Sequence, residues 1–242
     1  MTTREYSLFE LQSLKGRLLP LLAGVLGLLL IVWVVAAPAE SRLGSVVKLV
    51  YVHGALVWAG LLTFSLAGLL GLVALALRLT GPATGRAAPW LRGARSAGLA
   101  ALVVWIVYVL SSMAVTGLTW GQWIAWGEPR VRATAAILVA ALVLNAVVRL
   151  VDHPDLTALV QVLMGIAPWV VVSRAQAIRH PVDPIGGSTS TSIQGFYLLI
   201  VVTVIALALT LVAWLWAGAE LAPERRRRGP GPDHDRTATT GT

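Results

Sequence analysis

The chain has 242 residues, of which 57% are hydrophobic and 12% are charged, and its net charge is +8. Soluble domains carry about 25% charged residues, so this composition excludes an ordinary soluble domain and indicates a membrane protein. The positive charge is mostly arginine beside apolar runs, where it sets orientation and contacts anionic lipid, so no nucleic acid partner is expected. The chain has no cysteine, which excludes thiolate metal sites and disulfides within it.

Six apolar runs follow a polar leader, and several exceed the roughly 18 residues that indicate a membrane span. Only helices or closed barrels satisfy the backbone inside lipid, so runs this continuous predict an all-α polytopic membrane helix bundle. In chain order, the six predicted transmembrane helices cover 18–37, 49–77, 98–118, 133–148, 156–172 and 196–216. The first run lacks a small-residue cleavage site and is predicted to be a retained span.

The regions outside the spans complete the predicted organisation. Residues 1–17 form a cytoplasmic leader, 18–218 the membrane domain, and 219–242 a basic, disordered cytoplasmic tail. The stretch 78–95, which contains Gly, Pro and four arginines, is predicted to be a loop. Of the Lys and Arg residues, 13 lie on the side of the two termini and 6 on the other side. The positive-inside rule therefore predicts that both termini are cytoplasmic.

The connection between the third and fourth spans is rich in tryptophan. Residues 120–130 read WGQWIAWGEPR, with Trp120, Trp123 and Trp126 in eleven positions, followed by Glu128 and Arg130. Tryptophan is common at bilayer interfaces as an anchor, and this is the simplest interpretation of the three residues taken alone. Their spacing, with the acid and the arginine, also suggests an aromatic platform for a flat ligand.

Two of the four histidines are predicted to lie on the same, outward side as this loop. His53 lies one turn inside the second span, and His180 lies in the polar connection after the fifth span. Taken alone, His53 is more often a hydrogen-bonded interface residue, and a loop histidine such as His180 is usually solvated. An ionisable side chain inside a span is nevertheless costly, so its presence suggests a functional role. Histidine is a common axial ligand of haem iron.

Together, two histidines and a tryptophan platform favour a haem site. The propionates of haem prefer cationic partners, and the planar fork of arginine suits a carboxylate. The outward candidates are Arg130, Arg132, Arg174 and Arg179. Taken alone, Glu128 and Arg130 are more simply a capping and orienting pair at the start of the fourth span.

These residues resemble a known family, the haem-handling proteins of cytochrome c maturation (the CcmC/CcsA type). That family has a tryptophan-rich outer loop, the WWD motif, of which this chain has Trp120, Gly121, Trp123 and Trp126. It also has a YVH segment entering the second span with a tryptophan five residues later, here 51–58. Within the WWD motif, Ile124 replaces a tryptophan, Gly127 precedes the acid, and the acid is Glu128 rather than aspartate. After His53, this chain has 54–56 (Gly-Ala-Leu) where the family often has proline.

The resemblance, closest to the six-span CcmC type, implies a function. His53 and His180 would be axial ligands of the iron of a transiently bound haem b, and Gly121 would permit close approach of the backbone. The tryptophans, Glu128 and Arg130 would line the cofactor. The protein would pass haem to a membrane-tethered chaperone of the CcmE type, beside ABC transporter subunits, in a bacterial plasma (inner) membrane. It would bind and transfer haem and would not be an enzyme.

Two alternatives remain open from the sequence. The first is a small-molecule transporter or permease subunit, although transporters usually place polar or broken-helix features near the midplane. Asn145 and Gln161 are the deep polar candidates, and both can be contacts between helices. The second is a haem–apocytochrome ligase. Such a protein would need more spans than the six predicted here and, in some types, a large outer domain.

Overall fold

The structure, a computed structural model, describes residues 3–80, 84–176, 178, 185 and 187–227, with side chains at 17–80, 85–176, 178, 185 and 187–219. These residues form six helices: α1 (Thr3–Ala36), α2 (Val47–Leu79), α3 (Thr84–Trp120), α4 (Pro129–Val151), α5 (Pro154–Arg174) and α6 (Thr191–Arg227). All six are long and apolar enough to cross a membrane. The predicted all-α bundle with six transmembrane helices is confirmed.

Several helices extend beyond the apolar runs that predicted them. The loop prediction for 84–95 is wrong, because α3 is already helical from Thr84. This stretch is rich in Ala and Arg, which favour helix. Pro89 lies in the second turn of α3, where it removes one backbone hydrogen bond. Helix α6 likewise continues to Arg227, so the first part of the predicted tail is helical. Residues 228–242 lie outside the described residues.

Helix α2 is the centre of the bundle and packs against α3, α5 and α6, whereas α1 packs mainly against α6. The largest fully buried side chain is Trp105 of α3. Its ring lies on Gly60 and meets the edge of Phe64 at a centroid distance of 5.7 Å. A glycine in α2 therefore makes room for an indole at the α2–α3 contact.

The crossing of α2 and α5 is a direct backbone contact. A Cβ atom built on Gly68 would lie 2.9 Å from the Cα of Gly165, and one built on Gly165 would lie 2.8 Å from the Cα of Gly68. Helices inside membranes associate through small residues that permit this close approach. One turn further, Gly71 lies against the backbone of Ala158, so the close contact extends along both helices.

The two ends of the bundle differ in chemistry. At the end that carries the chain termini, Arg78 pairs with Asp155, and Arg95 donates to Asp152 at 2.7 Å and to Thr157 at 3.1 Å. The opposite end, here called the tryptophan end, consists of the connections 37–46 and 121–128 and the segment after α5. These three connections meet at one end because consecutive helices run in opposite directions.

Candidate functional site

His53 is a buried histidine in α2, about one and a half turns from the start of the helix at the tryptophan end. It has 8% of its surface exposed, and its ring lies on that of Tyr108 of α3 at a centroid distance of 4.9 Å. The His53 Nδ1 atom lies 3.2 Å from the hydroxyl oxygen of Ser111. These contacts with Tyr108 and Ser111 hold the imidazole between α2 and α3.

The hydroxyl of Ser111 orients the ring of His53. Ser111 donates its single proton to the Tyr108 carbonyl oxygen at 2.7 Å. Its oxygen therefore accepts a hydrogen bond from the Nδ1–H of His53. A metal-binding histidine typically donates its other ring N–H to an oxygen in this way, which fixes the ring and the coordinating nitrogen.

The contacts of His53 continue to α4. The hydroxyl of Tyr108 lies 3.1 Å from that of Thr134, and the indole N–H of Trp105 donates to the Thr134 carbonyl at 3.2 Å. Sequence reasoning missed the contacts of His53 with Tyr108 and Ser111 and their continuation to Thr134. The available signal was three polar residues, Tyr108, Ser111 and Ser112, close together in a largely apolar span.

Helix α3 ends in a tight turn that begins the tryptophan connection. Gly121 has a φ of +68°, a left-handed conformation that glycine adopts at little cost, and its N–H donates to the Gly117 carbonyl at 3.2 Å. The Thr116 hydroxyl donates to the Trp123 carbonyl at 3.0 Å. The structure thus gives Gly121 a role in ending α3, while the predicted approach to haem stays a prediction.

The tryptophans of this connection differ in placement. Trp120 is the last residue of α3 and is half-buried, whereas Trp123 and Trp126 have 64% and 57% of their surface exposed. The Trp123 ring packs across Gly117, which follows Tyr108 by about two and a half helical turns. Trp123 is therefore on the opposite side of α3 from the His53 ring. Its predicted contact with the same ligand as His53 stays a prediction.

Trp58, the tryptophan five residues after His53, lies away from this connection. It is 47% exposed and its ring is 6.1 Å from that of Trp169 of α5. The indole N–H of Trp169 donates to the Ser65 hydroxyl at 2.8 Å. Trp58 and Trp169 thus form an aromatic pair on the surface where α2 meets α5.

Glu128 is the residue immediately before α4, and only 1% of its surface is exposed. Its side chain makes no capping hydrogen bond to α4, although it occupies the N-cap position. Instead, Oε1 accepts the backbone N–H of Ile178 at 3.0 Å. The carboxylate therefore connects the tryptophan connection to the segment after α5, and its predicted contact with haem stays a prediction.

The predicted cationic partners occupy two kinds of position. Arg132 and Arg174 both line a groove of about 570 Å³ between the start of α4 and the end of α5. Arg130 is half-buried, and its Nε atom is shielded from solvent without a hydrogen-bond partner among the described residues. The Nε of Arg130 could donate to a carboxylate such as a haem propionate, as could the guanidinium groups of Arg132 and Arg174 in the groove, although Arg92 and Arg95 at the other end also have a shielded Nε without a partner.

The connection 37–46 completes the tryptophan end. Its Glu40 accepts the backbone N–H groups of Leu43 and Arg42 and the hydroxyl of Ser41, each at 2.9 Å. The pKa of the Glu40 carboxyl lies below its usual value, mainly because of the hydrogen bond from the Leu43 N–H and next because of that from the Ser41 hydroxyl. The Glu40 side chain thus accepts hydrogen bonds from residues of its own connection.

His180, the second predicted ligand, and Arg179 lie outside the described residues, two and one positions after Ile178. Of the other histidines, His153 is exposed at the start of α5, at the end that carries the termini. Comparison with protein-family models gives no match for this chain, and a search of curated proteins gives none either. The candidate site therefore depends on its geometry and on the sequence resemblance.

Proposed function

We propose that this protein binds haem b at the tryptophan end of its helix bundle and transfers it to a haem chaperone during cytochrome c maturation. The observation that carries the proposal is His53, a buried histidine at the tryptophan end whose Nδ1 is oriented by Ser111, as metal-binding histidines typically are. His180 is the proposed second axial ligand. This chain would bind and transfer haem and would catalyse no reaction.

Three further features support the proposal. Arg130, Arg132 and Arg174 supply cations at the same end, which suits a ligand with two carboxylates. The exposed indole of Trp126 supplies flat apolar surface for a macrocycle, and that of Trp123, across α3 from His53, supplies it for a partner. The excess of basic residues at the other end supports a tryptophan end that faces outward, across a bacterial plasma membrane from the termini.

Transfer of haem requires one ligand that holds its position and one that is exchanged. His53 is fixed by contacts from α3, so it is the proposed permanent ligand. His180 lies in a connection with Gly186 and Gly187, so it is the proposed exchangeable ligand. The proposed acceptor is a membrane-tethered chaperone of the CcmE type, and the proposed neighbours are ABC transporter subunits. Both follow from the resemblance of the motifs.

The proposal is tested by absorption spectra of the protein purified in detergent, recorded oxidised and after reduction with dithionite, with and without added haem. The expected result is a six-coordinate b-type spectrum in the wild type that is absent from the double variant His53→Ala/His180→Ala. A wild type that stays colourless with added haem would contradict the proposal. It would favour the permease alternative, and the tryptophans would then be interface anchors.

The hydrogen bond of Ser111 to His53 has a measurable effect if His53 is a ligand. We expect Ser111→Ala to weaken haem binding by about 10- to 100-fold, because partners that orient a metal-binding histidine typically contribute that much. A haem titration followed at the Soret band measures the change. Ser112→Ala is the matched control, since Ser112 is the next residue on α3 and the structure gives its hydroxyl no contact with His53. Equal affinities in the two variants would exclude the orienting role.

A further inference from the structure

The groove between the start of α4 and the end of α5 combines two cations with apolar walls. Arg132 lies in the first turn of α4 and Arg174 is the last residue of α5, so both guanidinium groups lie at the tryptophan end. The exposed indoles of Trp126 and Trp169 at this end are typical of the level of lipid head groups. The apolar walls of the groove include Pro129, Ala133, Val170 and Val171.

The charges of Arg132 and Arg174 are not neutralised within the described residues. Both side chains are exposed, and the ion pairs of the described chain lie at the end that carries the termini. No acidic side chain is among the described residues that line the groove. Glu128, which precedes α4, is buried and accepts the N–H of Ile178. The groove therefore presents two positive charges and favours an anion.

An apolar groove continues from these arginines along α4 into the span. It has a volume of about 660 Å³ and is lined by Ala135, Ala136, Val139, Ala140, Val143 and Leu144. Positions 132, 136, 140 and 143 recur at intervals of three or four residues, so the two grooves lie on one face of α4. From Arg132 to Leu144 the helix rises about 18 Å, slightly more than half of the roughly 30 Å hydrocarbon core of a bilayer. This shape suits a ligand with an anionic head at the membrane surface and a long apolar body within one leaflet.

A second copy of the chain is a poorer occupant of this face. Copies in one membrane share an orientation, so a dimer through this face would bring Arg132 and Arg174 of both copies to the same depth. Like charges at close range repel, and the lining that the structure describes offers no acid to offset them. A phospholipid instead supplies a phosphate for the arginines and an acyl chain for the apolar groove.

We infer that, in the haem-free protein, this face of α4 binds one anionic phospholipid of the leaflet at the tryptophan end. The planar guanidinium groups of Arg132 and Arg174 donate to its phosphate, and an acyl chain lies along Ala136, Ala140 and Val143. This lipid site goes beyond the proposed function and does not rest on it, because the lipid binds without haem.

The test titrates the haem-free full chain in detergent with phosphatidylglycerol, or with phosphatidylcholine of the same acyl chains. Native mass spectrometry measures the affinity of the first bound lipid. The wild type is expected to prefer phosphatidylglycerol by about 25-fold, because each of two arginines near an anionic head group contributes a factor of about five. Arg132→Ala and Arg174→Ala are each expected to weaken phosphatidylglycerol binding by about fivefold. Arg42→Ala is the matched control, since Arg42 is exposed at the same end and does not line the groove.

A second pair of variants tests the apolar part of the site without changing its charge. Ala136→Phe fills the groove one turn below Arg132, and Ala136 is exposed, so the phenyl ring is expected to leave the fold intact. It is expected to weaken phosphatidylglycerol binding by about tenfold, roughly the loss of two buried methylene groups. Leu142→Phe is its control, because Leu142 is exposed on α4 and does not line the groove.

Equal affinity of the wild type for the two lipids would overturn the inference, as would equal phosphatidylglycerol affinities in Arg132→Ala, Arg174→Ala and Arg42→Ala. Equal affinities in Ala136→Phe and Leu142→Phe would show that no acyl chain lies in the groove and would overturn it too. A complex of two chains that is lost in Ala136→Phe but survives added lipid would overturn it and make this face an interface between copies. No haem is present in these titrations, so their failure leaves the proposed function in place.

Discussion

His53→Ala is expected to lose most of the bound haem, at least about tenfold relative to wild type, whereas His180→Ala is expected to keep a measurable fraction. His53 is buried and held by Tyr108 and Ser111, so its position does not depend on the ligand. Because His53 is already held in place, no free energy is spent on ordering it when haem binds. The measurement is the haem content of each variant purified in parallel.

The matched control is His153→Ala. His153 is exposed at the start of α5, at the opposite end of the bundle, and makes no side-chain capping bond. It is expected to bind as much haem as the wild type. The reverse ranking, with less haem on His180→Ala than on His53→Ala, would make His180 the permanent ligand and contradict the proposed order of transfer.

Gly68→Ala is expected to lower the free energy of unfolding by roughly 1–3 kcal/mol, the usual cost of an atom forced into a close contact. The added Cβ would meet the Cα of Gly165 at 2.9 Å and the carbonyl oxygen of Gln161 at 3.2 Å. Both atoms belong to the backbone of α5, so no side chain can move aside and the helices must separate. The measurement is unfolding of the purified protein by heat or by denaturant.

Gly24→Ala is the matched control for this substitution. Gly24 lies on α1, and a Cβ at that position would have no other atom within 4 Å. Alanine favours helix over glycine by about 0.8–1.0 kcal/mol, and both variants gain this preference. A stability of Gly68→Ala equal to that of Gly24→Ala would show that the α2–α5 crossing contributes little to the fold.

Hydropathy predicts the six spans because burial in lipid requires long apolar runs, and the structure confirms them. It fails at the helix ends because it reports the thickness of the bilayer rather than the extent of the helix. Residues 84–95 of α3 and the last turns of α6 illustrate this: charged residues interrupt their hydropathy, yet the backbone is helical. The helical preference of Ala and Arg is the signal that would have predicted them.

The residue types of the candidate site could be identified from the sequence, but their contacts could not. Residues 120–130 and His53 were identified from their types and positions alone. The partners Ser111 and Thr134 were missed, because contacts between helices depend on rotation and register, which one sequence does not specify. Glu128 was predicted as a residue that lines the cofactor. Its bond to Ile178 joins residues 50 positions apart and required the structure.

The pairing of the helices sets an order for biogenesis. Helix α2 lies against α5, and Gly68 precedes its contact Gly165 by roughly 100 residues, which a ribosome adds in about 5–20 s. During that interval α2 can pack against α3, but the side of α2 that carries Gly68 and Gly71 has not yet met α5. Helix α1, the first to be inserted, waits longer still, since its principal neighbour α6 is the last. The bundle therefore closes only after α6 has been inserted.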